Sequence, residues 1–192
     1  MPNYNQSTQE MIGNIAEGMF VETATSSANT YLKATQTELF TVVGRILVKQ
    51  LYIEVIADLS AQATQVQFNC TFTTPTIGVN AMGAACASIS GKGQGTRIVH
   101  VGGAVSVAAV ITDSAGLSDV TCITPHIVGG EAFVGSIGML GSAATIATGT
   151  FRAMLHYVPY STGAYAEADS GIVHAVAICE VRYAGNAMPT AI

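Results

Sequence analysis

Apolar and polar residues alternate with a period of two along much of this chain, a pattern typical of β-strands and not of helices. The longest run of strand-forming residues covers positions 37–59, TELFTVVGRILVKQLYIEVIADL. Both of its faces are mostly apolar and carry isolated polar residues, which favours a long strand covered on both sides. We expect a bulge or bend at Gly44, because glycine tolerates such a distortion best.

The clearest single strand covers residues 65–73. Its apolar residues share one parity: Val66, Phe68, Cys70 and Phe72. The residues between them are Gln, Asn or Thr, so the segment is predicted to be a half-buried antiparallel strand with one side facing a core. Pro75 should end this strand, because proline has no backbone N–H to donate.

The rest of the chain continues the strand pattern, with turn residues between the segments. Further strands are predicted at residues 82–89, 96–101, 104–112, 119–123, 126–128, 144–160 and 171–183, with one or two weak strands in 129–141. Gly102-Gly103 is a hairpin signal between two of them, and residues 161–170 are predicted to form a polar loop. Many short strands at close spacing predict an all-β antiparallel fold, a β-sandwich or a barrel.

Residues 1–36 differ from the rest. They mix single apolar residues with Ser, Thr, Asn and Gly, and a short helix fits only residues 9–16. Two interpretations stay open: a disordered leader, or an arm that becomes ordered against another subunit, where Met19, Phe20 and Val21 could be buried. The predicted division is an N-terminal arm (1–36), a sandwich domain (37–170) and a C-terminal strand with a tail (171–192).

Charge is scarce in this chain. Only 10% of the residues are charged, against about a quarter in ordinary soluble domains, so a monomer would expose wide neutral surface. This favours an assembly subunit over a poorly soluble monomer. The net charge of −5 and the seven scattered Lys and Arg residues argue against nucleic-acid binding.

No apolar run is long enough for a membrane-spanning helix. The polar N-terminus is unlike a signal peptide, so we expect synthesis in a cytoplasm and no export by that route.

No residue pattern predicts a catalytic, cofactor or metal site, and we expect a protein that is not an enzyme. The histidines have no paired spacing and are interpreted as half-buried strand residues: His100, His126, His156 and His174. The sequence GKGQGT at 91–96 lacks the GK[ST] ending of a phosphate loop and is interpreted as a hairpin loop. Ser136 and Ser142 lie in glycine-rich segments without a nucleophile elbow. Glu167 and Asp169 are interpreted as solvated loop charges.

The four cysteines are far apart and lie in apolar or alternating segments: Cys70, Cys86, Cys122 and Cys179. Buried free thiols are the favoured interpretation, because free cysteine behaves as a small apolar residue. A disulfide and a metal ligand are the alternatives.

Two segments, residues 38–59 and 147–168, resemble parts of a group of tailed-bacteriophage virion proteins. In that group an F-V-G-R-I-V-x-L-x-E-V strand comes early, and a G-T-x-x-x-x-L-x-Y-V-P strand followed by a Gly-Ala loop comes late. The early motif falls on Phe40, Val42, Gly44, Arg45, Ile46, Val48, Leu51, Glu54 and Val55. The late motif falls on Gly149, Thr150, Leu155, Tyr157, Val158, Pro159, Gly163 and Ala164.

The resemblance implies a jelly-roll-like β-sandwich in the virion, and we expect a capsid-decorating (cement) protein. Such proteins form homotrimers on the shell and bridge neighbouring capsomers of the major capsid protein. This chain departs from the group in two ways: the aromatic residue often seen in the group's late strand is absent, and the tail beyond Asp169 is long. We expect the assembly contacts in the arm and in the tail, which would add a strand to a neighbouring subunit. The expected contact residues are Met19, Phe20, Val21, Tyr31, Ile172, Val176 and Ile178.

Two other kinds of virion protein stay open as alternatives. A tail or tail-tube protein would also be rich in strands, but it would assemble into rings or tubes. A receptor- or glycan-binding module would need a concentrated surface of aromatic and acidic residues, for which Tyr157, Tyr160 and Tyr165 are the candidates. An enzyme is the least supported alternative, because no residue pattern indicates a catalytic group.

Overall fold

The structure is a computed structural model of the chain and describes residues 18–28, 32, 34–62, 64–102, 104–112, 125–142 and 148–169. The regular elements of these residues are twelve β-strands. In chain order they are β1 (Met19–Glu22), β2 (Ser26–Ser27), β3 (Thr37–Val43), β4 (Ile46–Ala57), β5 (Val66–Thr74), β6 (Thr76–Ala81), β7 (Arg97–Val99), β8 (Val110–Thr112), β9 (His126–Val128), β10 (Val134–Gly141), β11 (Thr150–Pro159) and β12 (Tyr165–Ala168).

The strands form two sheets, and their pairings are antiparallel. The seven-stranded sheet has the order β1-β11-β4-β7-β8, with β2 also paired to β11 and β9 to β4. The five-stranded sheet has the order β12-β3-β10-β5-β6. Their inner faces pack against each other, so the prediction of an all-β antiparallel sandwich is confirmed.

One core fills the space between the sheets. The seven-stranded sheet contributes fully buried side chains such as Val48, Leu51, Ile53, Phe151 and Leu155. The five-stranded sheet contributes Phe40, Val42, Phe68, Ile137 and Met139. Because successive side chains of a strand point to opposite sides, each sheet also has an outer face that carries the residues between these.

The strand pairs are nested within one another along the chain. The outermost pair is β1 with β11, followed by β3 with β10, then β4 with β7 and β9, and finally β5 with β6. Successive pairs alternate between the two sheets. The chain is thus arranged like one long antiparallel ribbon that is folded over itself, with β12 added beside β3.

The run at residues 37–59 breaks at Gly44, as predicted, but it does not form one long bent strand. Its two halves, β3 and β4, belong to opposite sheets. Each half buries one face in the core, and this explains why the combined run has apolar residues on both parities. Gly44 has a φ of +74°, a left-handed conformation that glycine adopts without steric cost. The chain crosses from one sheet to the other at this residue.

The strand predicted at residues 65–73 is confirmed as β5, but Pro75 does not end the sheet there. It lies in the turn between β5 and β6, which pair from Asn69↔Ala81 to Thr73↔Thr76. β6 was not predicted, because a proline between two short apolar segments was interpreted as a stop. Asn69, predicted to face solvent, is only 1% exposed.

Three further sequence predictions are corrected. Residues 82–89 form no strand, only a single bridge between Ala84 and Ala108. Their backbone contacts β5 where the Cys86 N–H donates to the Val66 carbonyl. β7 and β8 pair as a hairpin, as predicted. The connection between them is residues 100–109, whereas the sequence predicted a two-residue turn. Residues 165–168 of the predicted polar loop form β12 beside β3.

Other predictions have mixed outcomes. The weak strands at 129–141 are the single central strand β10, and most of 144–160 is β11. The segments predicted as a helix (9–16) and as strands at 119–123 and 171–183 lie outside the described residues.

The described part of the predicted N-terminal arm belongs to the sandwich. β1 and β2 both pair with β11, and Ala28 and Leu32 are buried in the core. The Thr23 side chain is buried as well, and its Oγ1 accepts a hydrogen bond from the Ala153 backbone N–H at 2.9 Å. The first strand of the sandwich therefore starts before residue 37.

Alanine substitutions at two glycines should separate crowding from backbone strain. Gly44 and Gly78 have φ angles of +74° and +75°, but a Cβ at Gly44 would lie 2.9 Å from the Ala164 Cβ, whereas Gly78 has open space. We expect Gly78→Ala to lower the free energy of unfolding by about 1 kcal/mol and Gly44→Ala by about 2 kcal/mol or more. Urea denaturation measures both. Equal losses of unfolding free energy in the two variants would show that a Cβ at Gly44 is not crowded by Ala164.

Candidate functional site

The strand β1 forms one edge of the seven-stranded sheet. It pairs with β11 from Met19↔Tyr157 to Glu22↔Met154, and no strand within the described part of the chain pairs with its other edge. Met19 and Phe20 are 49% and 55% exposed, whereas Val21 packs against the core. An edge strand with exposed apolar side chains is a template for pairing with another chain. β1 is therefore a candidate assembly edge.

The structure brings together three of the seven predicted assembly residues, Met19, Phe20 and Val21. The other four, Tyr31, Ile172, Val176 and Ile178, lie outside the described residues.

Two contacts hold β1 closely against β11. The Phe20 ring stacks on the His156 ring with 4.0 Å between the centroids. Gly18 precedes the strand with a φ of +89°, and a Cβ there would lie 2.5 Å from the Nε2 of His156. A side chain at this position would therefore displace the ring on which Phe20 rests.

Four charged residues form a row across the outer face of the seven-stranded sheet, which we call the outer ladder: Glu22, Arg152, Glu54 and Arg97, from β1, β11, β4 and β7. Arg152 donates to Glu54 Oε2 from Nε (2.9 Å) and Nη2 (2.7 Å), and its Nη1 lies 2.6 Å from Glu22 Oε1. Arg97 lies farther from Glu54, at 3.5 Å. Two acids and two bases thus neutralise each other across four strands.

Tyr52 and Met154 lie beside the outer ladder, opposite each other on β4 and β11. The Tyr52 hydroxyl donates to the Met154 Sδ at 2.7 Å, and the Arg97 guanidinium lies 5.4 Å from the centre of the Tyr52 ring. Burial raises the pKa of Tyr52, so its hydroxyl stays a neutral donor. The polar groups of the outer ladder and of Tyr52 and Met154 thus satisfy one another, and the four charges of the ladder sum to zero.

The three tyrosines proposed for a glycan-binding surface do not form one. Tyr157 is 1% exposed, and its hydroxyl donates to the Ala166 carbonyl at 3.1 Å across the core. Tyr160 and Tyr165 are exposed. The proposed surface thus loses one of its three aromatic rings.

Two histidines, the buried His100 and the half-buried His126, lie close together beside the part of β4 between β7 and β9. The rings of His100 and His126 are 4.9 Å apart in an edge-to-face arrangement, and His100 also contacts Phe68 at 5.7 Å. His100 is 1% exposed. Burial, with a smaller effect of the neighbouring His126, lowers the pKa of His100 to about 4, so this imidazole is neutral at pH 7.

The described residues contain no group of three or more His, Cys, Asp or Glu side chains that could hold a metal ion. Cys70 and Cys86 are free thiols, and burial raises the pKa of both. Cys122 and Cys179 lie outside the described residues. In the described part of the chain, no helix is long and apolar enough to cross a membrane.

The other candidates for chemistry have structural contacts in this fold. The loop at 91–95 bonds to the end of β4, where the Gln94 N–H donates to Asp58 Oδ1 at 2.8 Å. Ser136 lies buried within β10 and not in a loop, and Ser142 Oγ accepts a hydrogen bond from the Gln65 N–H. Glu167 is exposed on β12, whereas it was predicted to lie in a loop.

No model of a known protein family, no curated protein and no solved structure matches this chain.

Sequence reasoning singled out Met19, Phe20 and Val21, but it did not predict the strand β1, the outer ladder or the histidine pair. Arg152 and Glu54 each stand on the more polar parity of their strand, and that was the available signal. Their contact depends on the register between β4 and β11, and no local pattern sets the register of strands so far apart in sequence.

Removing Arg152 should weaken the attachment of β1 to β11, because Arg152 pairs with Glu22 on β1. Arg152→Met leaves Glu22 and Glu54 without their closest partner, and we expect the free energy of unfolding to fall by about 1 kcal/mol. Arg97→Met is the matched control, with an expected loss below about 0.5 kcal/mol because its pairing is longer and more exposed. Urea denaturation at low and high salt measures both variants. Equal losses, or no effect of salt, would contradict a central role for Arg152.

Acid should destabilise the fold through His100. The unfolded chain binds a proton at this histidine near pH 6.5 and the folded chain only near pH 4, so stability is lost as the pH falls between these values. Between pH 7 and pH 5 the loss is about 2 kcal/mol. Denaturation midpoints at these pH values should differ less in His100→Gln than in the wild type. The control His156→Gln should keep the wild-type difference, and a wild-type midpoint that does not change would contradict the buried neutral state.

Proposed function

We propose that this chain is a non-enzymatic structural protein of a bacteriophage virion, a capsid-decorating protein that forms homotrimers and stabilises the shell by bridging capsomers. The observation that carries the proposal is the edge strand β1. Within the described part of the chain, one of its edges pairs with no strand, and the side chains of Met19 and Phe20 are exposed. The resemblance of residues 38–59 and 147–168 to tailed-phage virion proteins supports the same assignment.

We further infer that the sandwich is a jelly roll. Two sheets of antiparallel strands are the architecture of that fold. The nested pairing, with β1–β11 outermost and β5–β6 innermost, supports it because successive pairs alternate between the sheets. An isolated hairpin stack or a meander would pair strands that are neighbours in sequence, whereas β4 and β11 are far apart.

An open strand edge suits a closed ring of identical subunits. When one surface of a subunit binds a different surface of the next, the contact closes into a ring if the rotation permits. Strand addition to β1 is such a contact, because its main-chain hydrogen bonds need only an extended partner segment. In the trimer that we propose, the partner segment comes from the arm or tail of the neighbouring copy.

The charge distribution is compatible with close packing against a shell. Within the outer ladder, Arg152 and Arg97 neutralise Glu22 and Glu54. Copies arranged around a symmetry axis can then approach each other without strong repulsion between like charges. Decoration of the capsid is the virion role that we assign to this small, weakly charged sandwich with a shared strand edge.

The mass of the protein in solution tests the assembly. We expect light scattering at two concentrations to give three times the 19.7 kDa of one chain. The double variant Met19→Ser/Phe20→Ser should be a folded monomer, because it removes the exposed apolar side chains of the edge. Tyr160→Ser, at an equally exposed aromatic residue, should stay trimeric. A monomeric wild type would contradict trimer formation, and an assembled double variant would contradict the role of β1.

Binding to phage heads tests the location. The wild-type protein, mixed with empty heads of tailed bacteriophages and sedimented, should bind saturably, and the double variant should bind less. Binding to isolated tails instead of heads would overturn capsid decoration and favour the tail-protein alternative.

A further inference from the structure

The outer face of the seven-stranded sheet carries many apolar side chains. Because side chains alternate along a strand, the residues between the core residues of its strands lie on this face. The apolar and aromatic residues among them are Phe20, Leu47, Tyr52, Ile56, Val99, Val110, Ile127, Met154 and Val158. None of these nine residues belongs to the core. An antiparallel sheet face that meets only water is usually polar, so this face has the composition of a covered surface.

Some of these side chains are fully open to solvent in the single chain. Phe20, Ile127 and Val110 are 55%, 48% and 42% exposed. They come from β1, β9 and β8, so the exposed apolar groups are spread across the width of the sheet. Several exposed apolar side chains on one face mark a surface for association.

The outer ladder gives this face an alternating order of charge. From β1 to β7 the signs are negative, positive, negative and positive, at Glu22, Arg152, Glu54 and Arg97. When this order is reversed, every acid takes the place of a base. A second copy that meets the face with its ladder reversed therefore places opposite charges against each other at each of these positions.

We propose that this face is a self-association surface, on which two copies of the chain meet face to face about a two-fold axis. The axis lies in the plane of the contact, perpendicular to the outer ladder, and passes between Arg152 and Glu54. It places Glu22 of each copy opposite Arg97 of the other, and Arg152 opposite Glu54. Two-fold contacts of this kind are the commonest among protein oligomers.

The same axis brings the apolar parts of the two faces together. The ladder crosses the strands, so an axis perpendicular to it runs roughly along them, and each end of the face meets the same end of the other copy. Away from the ladder, this end carries Phe20 and the paired residues Val158, Leu47 and Ile127. Stacked sheets with nearly aligned strands are a common packing arrangement. An axis along the ladder would instead place each charge opposite its own copy.

The size of the contact indicates a weak association. Five strands about 4.8 Å apart, with five residues of about 3.3 Å along each, give about 400 Å² per copy. This is half of the area, about 800 Å² per partner, that a standard interface buries. Lys49 lies half-buried at the bulge of β4, and its like charge in the two copies weakens the contact further.

The contact leaves the unpaired edge of β1 free. It can therefore join trimers of the kind proposed above as well as single chains, and repeated weak contacts between trimers would reinforce one another. The inference does not depend on a role in a virion.

Charge reversal followed by mixing tests the arrangement. In sedimentation equilibrium at low salt, raising the full-length chain from about 10 µM to about 1 mM should increase its mean mass. Arg97→Glu and Glu22→Lys should each lose this increase, because each variant places like charges opposite one another. An equimolar mixture of the two variants should recover it, because each reversed charge then faces an opposite charge on the other variant.

A second pair of variants tests the surface without changing the ladder. Ile127→Lys should lose the increase in mass, because it places a charge in the apolar part of the contact. The control Val79→Lys, at an exposed valine on the other sheet, should keep it. Urea denaturation shows which variants are folded. Glu22 also helps to attach β1, so the comparison of Ile127→Lys with Val79→Lys decides the test if Glu22→Lys does not fold.

The remaining outcomes contradict the proposal in different ways. A wild-type mass that does not rise with concentration would overturn the contact itself. A rise that persists in Ile127→Lys, or that is lost equally in Val79→Lys, would overturn its location on this face. Loss in both charge variants without recovery on mixing would overturn the two-fold arrangement. The mass at the lower concentration, trimeric or monomeric, tests the proposed function and not this contact.

Discussion

The pairing of β4 with β11 is the constraint on which the rest of the structure depends. These strands pair along nearly their whole length, from Ile46↔Pro159 to Ala57↔Thr150. β11 carries β1 and β2 on its other edge, and β4 carries β7 and β9. Without this pairing, the strands attached to β11 and those attached to β4 would not belong to one sheet. Because the two strands are far apart in sequence, folding must close a long loop before this contact forms.

The same pairing gives the two faces of the sheet different roles. The inner face packs Leu51, Ile53 and Leu155 against the five-stranded sheet. The outer face places Arg152 between Glu54 and Glu22, which ties the edge strand to the centre. A strand of four residues is marginal alone, so β1 depends on these contacts and on the stacking of Phe20 to hold the edge in position. An ordered edge loses less conformational entropy when a second strand adds to it.

The two sheets differ in how their outer faces are completed. On the seven-stranded sheet, the polar groups of the outer ladder satisfy one another. On the five-stranded sheet, Asn69 and Ser136 are buried without partners in the described part of the chain. In the described part of the chain, the two outer faces thus differ in how fully their buried polar groups are paired.

The sequence by itself determined the class of the fold. Alternation in residues 65–73 and 150–158, and the glycine at position 44, established strands and a break, because side-chain direction and backbone freedom are local properties. It did not reveal β6 or β12, since a proline turn and a run of small residues are weak local signals. The partners of each strand were decided only by tertiary structure. The approach of Arg152 to Glu54, of His100 to His126 and of Asn69 to Gly138 depends on register between distant strands, and the whole core selects that register.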